Sequence, residues 1–409
     1  METENLQPNQ EFTQKVKQAT EFIGRSMVED SLHLKDNQKI LVIYEPLGKP
    51  LADEIKNYCR DFKNPAKINL FKRNLEDEVA IACQDSDEGL EKYFARLKDL
   101  NDEADAVFLI RADKNPEIFN KIPKKRQELF ESLSHQTNKR RIEGTVPWCL
   151  IYWPTPYEAK KEKLKYEDYF QEFIESCKQP WEKIAKAQEK LVKILDQGKI
   201  LEFKVDEENR DPKKRTNLKM NIEGMSFLGT TIEANYPGSE VYSAPVLDSA
   251  EGQVYLTGEY LYEGKMFKNI YLLFNQGKVV GYSADKGEPF LKEIFERTEA
   301  NRYLGEIAFG TNPGLEKKYF SALLNEKVGG SFHFALGHCY DNVQNQDGNL
   351  VKVNNGNTQD KTSLHWDLSS LMHQKYGGGQ VILDGKVIQE NGRFLDSDLG
   401  ILNLKTFVV

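Results

Sequence analysis

The sequence predicts an α+β protein: a doubly wound α/β domain over residues 1–198, then a mostly β, barrel-like domain over residues 199–409. Two observations carry this prediction. In the first half, continuous apolar runs alternate with helix-length amphipathic stretches. Beyond Gly198 the texture changes to short β-rich runs separated by turn residues.

The elements follow in order. Residues 11–29 show helical spacing in Phe12, Val16, Ala19, Phe22 and Ile23. Ile40–Tyr44 is apolar throughout, as a strand buried on both faces would be. A helix pattern covers Leu51–Phe62, followed by a strand at Lys67–Phe71, a helix at Glu88–Leu100, and strands at Ala106–Ile110 and Val146–Tyr152. This βαβ rhythm implies a parallel sheet. Tyr166–Gln197 is a long helical stretch, interrupted at Pro180 and ended by Gly198, a C-cap glycine. The β-rich runs of the second domain are Ile200–Val205, Leu218–Ile222, Val254–Leu261, Asn269–Phe274 and Val279–Ser283, with one helix at Glu288–Thr298.

Bulk properties exclude several functions. A net charge of −8 argues against general nucleic-acid binding, which needs a basic surface. No apolar run is long enough for a transmembrane helix. The stretch Met1-Glu-Thr-Glu-Asn-Leu-Gln is polar and acidic, unlike a secretory signal. Cys59, Cys83, Cys149, Cys177 and Cys339 are scattered without a C-x-x-C pair. Together these read as a cytoplasmic protein with reduced, buried thiols. Parallel sheets often bind nucleotides, but Glu45-Pro-Leu-Gly-Lys-Pro50 after the first strand holds one glycine, and neither G-x-G-x-x-G nor a P-loop occurs. The basic clusters at residues 138–141 and 213–215 read as solvated surface.

Histidine directs attention to the last third: after His33 and His135, all four others fall between residues 333 and 373. In Ser363-Leu-His-Trp-Asp-Leu368, His365 and Asp367 project to one side of a strand, and Trp366 to the other, toward the core. Three upstream segments add candidate ligands. Glu240 follows a Pro-Gly turn, Glu306 lies in Leu304–Gly314, and His333 lies in Gly329–Tyr340. Three carboxylates and two imidazoles suit a pair of divalent ions bound through oxygen and nitrogen. The same residues also suit buried acids paired with cations and hydrogen-bonded core histidines, and spacing does not separate these readings.

Taken in order, four blocks resemble the signatures of the thermophilic-type aminopeptidases, the metallopeptidase family of aminopeptidase S, aminopeptidase T and PepS. They are Pro237–Pro245, Leu304–Pro313, Glu326–Tyr340 and Ser363–Asp367. The resemblance implies that Glu240, Glu306, His333, His365 and Asp367 are metal ligands and that Tyr340 is an active-site tyrosine. It implies a dinuclear centre of Zn, Co, Mg or Mn that activates a bridging water to remove N-terminal residues from peptides, in a homodimer. Glu306 is expected to shuttle the proton, and Tyr340 to hydrogen-bond the developing oxyanion or to orient a ligand. Of the neighbours, His338 is expected outside the ligand set, His373 facing solvent, Cys339 packed, and Asp341–Lys361 a polar loop. Two other functions compete: another metal-dependent amide hydrolase on the same scaffold, and a non-catalytic binding protein that keeps the fold.

Overall fold

A computed structural model describes residues 10–404, apart from 63–64, 85, 113, 345–349 and 358–362. Residues 1–7, read above as unlike a signal, and residues 345–349 and 358–361 of the expected polar loop fall outside the described residues. The chain forms two compact units. One comprises residues up to Cys177 together with Ile232–Tyr236; the other comprises Lys178–Thr231 and residues from Pro237 onward.

In the first unit α1 (Gln10–Ser26) precedes β1 (Lys39–Tyr44), α2 (Lys49–Arg60), β2 (Lys67–Lys72), α3 (Leu75–Ala82), α4 (Glu88–Glu103) and β3 (Ala106–Arg111). Then come α5 (Lys124–Ile142), β4 (Trp148–Tyr152), α6 (Pro156–Lys161) and α7 (Tyr166–Cys177). The sheet is parallel, in the order β2-β1-β3-β4. β1 and β3 are buried almost throughout, which is why they read as unbroken apolar runs. Arg140, expected in solvent, instead donates to the carbonyls of Asn101, Asp102 and Ala104 and closes the end of α4.

The second unit opens with α8 (Trp181–Asp196), β5 (Ile200–Val205), β6 (Thr216–Asn221) and β7 (Leu228–Thr230). The short β8 (Asn235–Tyr236) belongs to the parallel sheet, beside β4. Then follow β9 (Glu240–Ser243), β10 (Glu251–Tyr262), β11 (Lys265–Asn275), β12 (Lys278–Lys286), α9 (Glu288–Arg297) and β13 (Leu304–Gly310). After α10 (Ala322–Lys327) and β14 (Ser331–Gly337) come β15 (Val343–Gln344), β16 (Leu350–Val351) and β17 (His365–Leu371). The last strands are β18 (Gly379–Leu383), β19 (Lys386–Glu390) and β20 (Arg393–Phe394).

Eight of these strands form an antiparallel sheet, β12-β11-β10-β6-β5-β18-β19-β20, and five form another, β17-β14-β13-β9-β7. The expected barrel-like form is corrected by this order, because both sheets are open among the described residues. They share one apolar core instead of closing. Phe203 of the larger sheet stacks on Phe332 of the smaller at 4.3 Å between ring centres. The unit division also falls one helix before the boundary expected at residue 198. Ile184, Ala187, Leu191 and Leu195 of α8 are buried in this same core, which ties the helix to the β-rich unit. No helix among the described residues is long and apolar enough to cross a membrane.

Candidate metal centre

The five-stranded sheet places every candidate ligand on one face. Its registers set Gly310 opposite Glu240, Ala308 opposite His333, Gly337 opposite His365, and Ala335 opposite both Glu306 and Asp367. Directly opposed residues share a face, and so do residues two apart on a strand. The residues opposed to the candidate ligands, Gly310, Ala308, Gly337 and Ala335, are all small, while Tyr242 also stands on this face. The alternate set, including Val241, Ile307, Phe309, Phe332, Phe334, Trp366 and Leu368, enters the core. Trp366 is buried there against Tyr262 and Phe267, as its alternation predicted.

One irregularity decides where Glu306 points. Leu304 and Glu306 are two apart and would share a face on a regular strand. The β13–β14 register shifts between them. Leu304 therefore packs in the core while Glu306 joins the ligand face. Gly305 occupies the shift, where a Cβ would lie 2.2 Å from the His338 carbonyl oxygen.

The ligand atoms form two triads that share Glu306: Glu240, Glu306 and His333, and Glu306, His365 and Asp367. In each, one donor atom per residue lies within 4.8 Å of the others. His333 Nε2 is 3.4 Å from Glu240 Oε2 and 3.3 Å from Glu306 Oε1. His365 Nε2 is 3.1 Å from Glu306 Oε2 and 3.5 Å from Asp367 Oδ1. Charge-assisted hydrogen bonds close to about 2.7–2.9 Å. These atoms stand further apart, and Glu240 Oε2, Glu306 Oε2 and His365 Nε2 are buried without a hydrogen bond. Orphaned donors of this kind around a common space fit divalent ions bound by nitrogen and oxygen.

Outer contacts hold the ligands in place. His365 Nδ1 donates to the His338 carbonyl at 2.8 Å, so that Nε2 is the nitrogen facing Glu306 and Asp367. His338 thus contributes its backbone, and its ring packs 5.2 Å from that of His365. The Gln188 side-chain amide reaches the Glu240 carbonyl and the hydroxyls of Ser239 and Thr311, pinning the start of β9.

Electrostatics follow from burial and proximity. Burial opposes charge on His333, but Glu240 and Glu306 outweigh it and raise the imidazole to about 10. His365 is raised well above its ordinary value against the same penalty, by Asp367 and Glu306. Burial would raise Glu240, yet Lys327 foremost, with His333, holds it down at about 2. Protons and an ammonium group thus stand where positive charge is wanted.

The sequence reading gave no role to Glu326 and Lys327. Lys327, at the end of α10, is 2% exposed, and its Nζ lies 2.5 Å from Glu240 Oε1 and 3.2 Å from Glu326 Oε2. Burial, then the charge of Asp367, pushes Glu326 up to about 7. Gly310 permits the approach of this segment, since a Cβ there would lie 2.2 Å from the Val328 carbonyl oxygen. The only signal in the sequence was their place at the head of the Glu326–Tyr340 block.

Tyr340 borders the site, its ring 5.0 Å from His365 and 5.5 Å from Tyr242. Although the residue is about half exposed, desolvation around its hydroxyl, then the charges of Glu306, Asp367 and Glu240, raise it well above its ordinary value. Cys339 is packed as expected, its thiol 3.2 Å from the Asn357 carbonyl. His373 is not in solvent. It is fully buried against Gly392 with Nε2 3.0 Å from the Gly329 carbonyl, because the chain after β17 turns inward.

The family model for thermophilic metalloprotease (M29) matches residues 16–394. The chain belongs to this family. A 125-residue segment is 34% identical to aminopeptidase AmpS of Bacillus subtilis (strain 168), covering 30% of this chain and 29% of that protein. A 149-residue segment is 28% identical to aminopeptidase T of Thermus aquaticus, covering 35% of this chain and 36% of that one. The chain thus spans about a third of the length of the curated relatives it matches. The fold resembles that of wild-type AmpT from Thermus thermophilus, with a TM-score of 0.74 at 17% identity over 93% of this chain and all of that one. It also resembles 2,5-dihydroxypyridine dioxygenase from Pseudomonas putida KT2440, with a TM-score of 0.54 at 14% identity over 94% of this chain and 99% of that one. The second likeness illustrates that function must be argued from the site, not from the scaffold.

Proposed function

We propose that this member of the family is a metal-dependent aminopeptidase that removes N-terminal residues from peptides, with a dinuclear centre of Zn, Co, Mn or Mg. The observation that carries the reading is the pair of triads sharing Glu306 on one sheet face. Glu240 and His333 would hold one ion, His365 and Asp367 the other, and Glu306 both. When bound, the ions supply Lewis acidity and a water whose pKa falls toward neutrality.

The chain's own residues do the rest. His338 fixes the tautomer of His365 through its carbonyl. Tyr340 donates a hydrogen bond toward the oxygen that gains charge at the scissile carbonyl. Glu306, expected to move the proton as well, is committed to both triads, and a ligand is a weak base. Glu326 takes that role better: it is partly buried beside Lys327, belongs to neither triad, and is raised to about 7. We further place the protein in the cytoplasm as a homodimer, with peptide substrates and neither nucleic acid nor membrane as partner. Its five cysteines, scattered without a C-x-x-C pair, suit a reducing compartment.

The test uses aminoacyl-p-nitroanilides and their N-acetyl counterparts, before chelation, after it, and after adding back Co or Zn. Turnover of the free-amine substrates alone, lost on chelation and restored by metal, is expected. Equal cleavage of blocked and free substrates would instead indicate a different amide hydrolase.

A further inference from the structure

Resting on the two-ion reading, we propose that the two halves of the centre are unequal and that Lys327 sets the difference. The half built from Glu306, His365 and Asp367 takes a divalent cation first and tightly. The half built from Glu240, Glu306 and His333 takes the second weakly.

The argument starts from one carboxylate with two claims on it. Glu240 Oε1 lies 2.5 Å from Lys327 Nζ, while Oε2 faces His333 at 3.4 Å. An ion in this half would sit on Oε2, across a single carboxylate from a fixed positive charge. Lys327 is almost wholly buried, and Glu240 and Glu326 both stabilise its ammonium form. Charges this close, in a medium of low effective dielectric, repel strongly. Lys327 therefore neutralises part of the donor set before any metal arrives.

The other half has no such neighbour: among the described residues Asp367 pairs with His365, at 3.5 Å, and with no lysine or arginine. The shared ligand Glu306 serves both halves, so the asymmetry comes from Lys327 at the end of α10. Metal-free, Lys327 also spares Glu240 from being buried as a lone charge. The same contact that stabilises the empty site weakens its second ion.

Calorimetric titration of the full-length, chelator-treated protein with Co or Zn, backed by chelator competition, reads the two steps without recourse to activity. Two steps separated by about tenfold or more are expected. Glu240→Gln should remove the weak step and Asp367→Asn the tight one. Lys327→Met should tighten the weak step about tenfold while moving the tight one less than about threefold, and Lys327→Arg should keep the gap. If Lys327→Met folds poorly, the wild type with Glu240→Gln and Asp367→Asn still establishes the order. Equal steps, loss of the tight step in Glu240→Gln, or a Lys327→Met protein whose steps move together would overturn the proposal while leaving two ions in place. Uptake of fewer than two ions by the wild type removes the two-ion reading itself, and this inference with it.

Discussion

The two faces of the strands β9, β13, β14 and β17 are built from alternating residues of the same sequence, yet they obey opposite rules. One face carries Phe309, Phe332, Phe334, Trp366 and Leu368 into a core shared with the larger sheet. Each such side chain contributes roughly 1.5–3 kcal/mol by leaving water. The other face gathers three acids and two imidazoles, with His365 and Asp367 only partly buried, against the Lys327 ammonium of α10, and their desolvation is repaid only by one another or by bound ions. The contrast teaches that stability and function are separated here by side-chain parity, not by region. Mutations one residue apart should therefore have unlike consequences.

The largest expected effect is on the ligand face. His365→Ala and Asp367→Ala should each lower kcat/KM by on the order of 10³-fold or more, with the metal-free protein still folded by circular dichroism. Retained turnover in either would break the comparison. On the opposite face, Phe332→Ala should destabilise by about 3–5 kcal/mol in chemical denaturation, while the folded fraction keeps its affinity for metal. Metal loss at unchanged stability would reverse the assignment of the two faces. Glu326→Gln sharpens the distinction between ligand and base. It should lower kcat about 100-fold with metal content intact, whereas loss of metal would make Glu326 a ligand.

The smallest effect is in pH dependence. His333 is raised in the folded protein from 6.5 to about 10, so its contribution to metal-free stability is full below pH 6.5 and lost as pH rises through about 10. Glu240 is lowered from 4.5 to about 2, so its contribution is full above pH 4.5 and lost as pH falls toward 2. Melting temperatures of the metal-free protein should thus be highest between these limits. With metal bound the alkaline fall should shrink, because the ion replaces the proton on His333. An unchanged alkaline fall in the metal-loaded protein would place His333 outside the centre.

Much of this was legible in the sequence because burial on both faces leaves a plain trace. Ile40–Tyr44 and Ala106–Ile110 were expected as strands and lie within the buried β1 and β3, while Lys67–Phe71 lies within β2, a partly exposed edge strand. The candidate ligands were drawn from four ordered blocks, and the common side of His365 and Asp367 from alternation. Short or polar elements were not legible. β8 has two residues and no period to detect, and α5 is largely polar along its length. His373 lies in a polar-looking segment whose turn inward depends on contacts with Gly329 and Gly392, far from it in sequence. Glu326 and Lys327 look like surface charges until α10 is laid on the sheet, where each charge becomes the reason the other can be buried.

Gly305 gives β13 two phases. Before it, alternation is counted from the core; after it, from the metal face. Ironing out the shift without removing a residue would leave composition, strand length and every candidate ligand unchanged. It would nevertheless turn Glu306 toward the phenylalanines and Ile307 toward His333. The family block Leu304-Gly-Glu306 is thus punctuation as much as chemistry: a frameshift written in side-chain direction, which lets one strand belong to the core at one end and to the metal centre at the other.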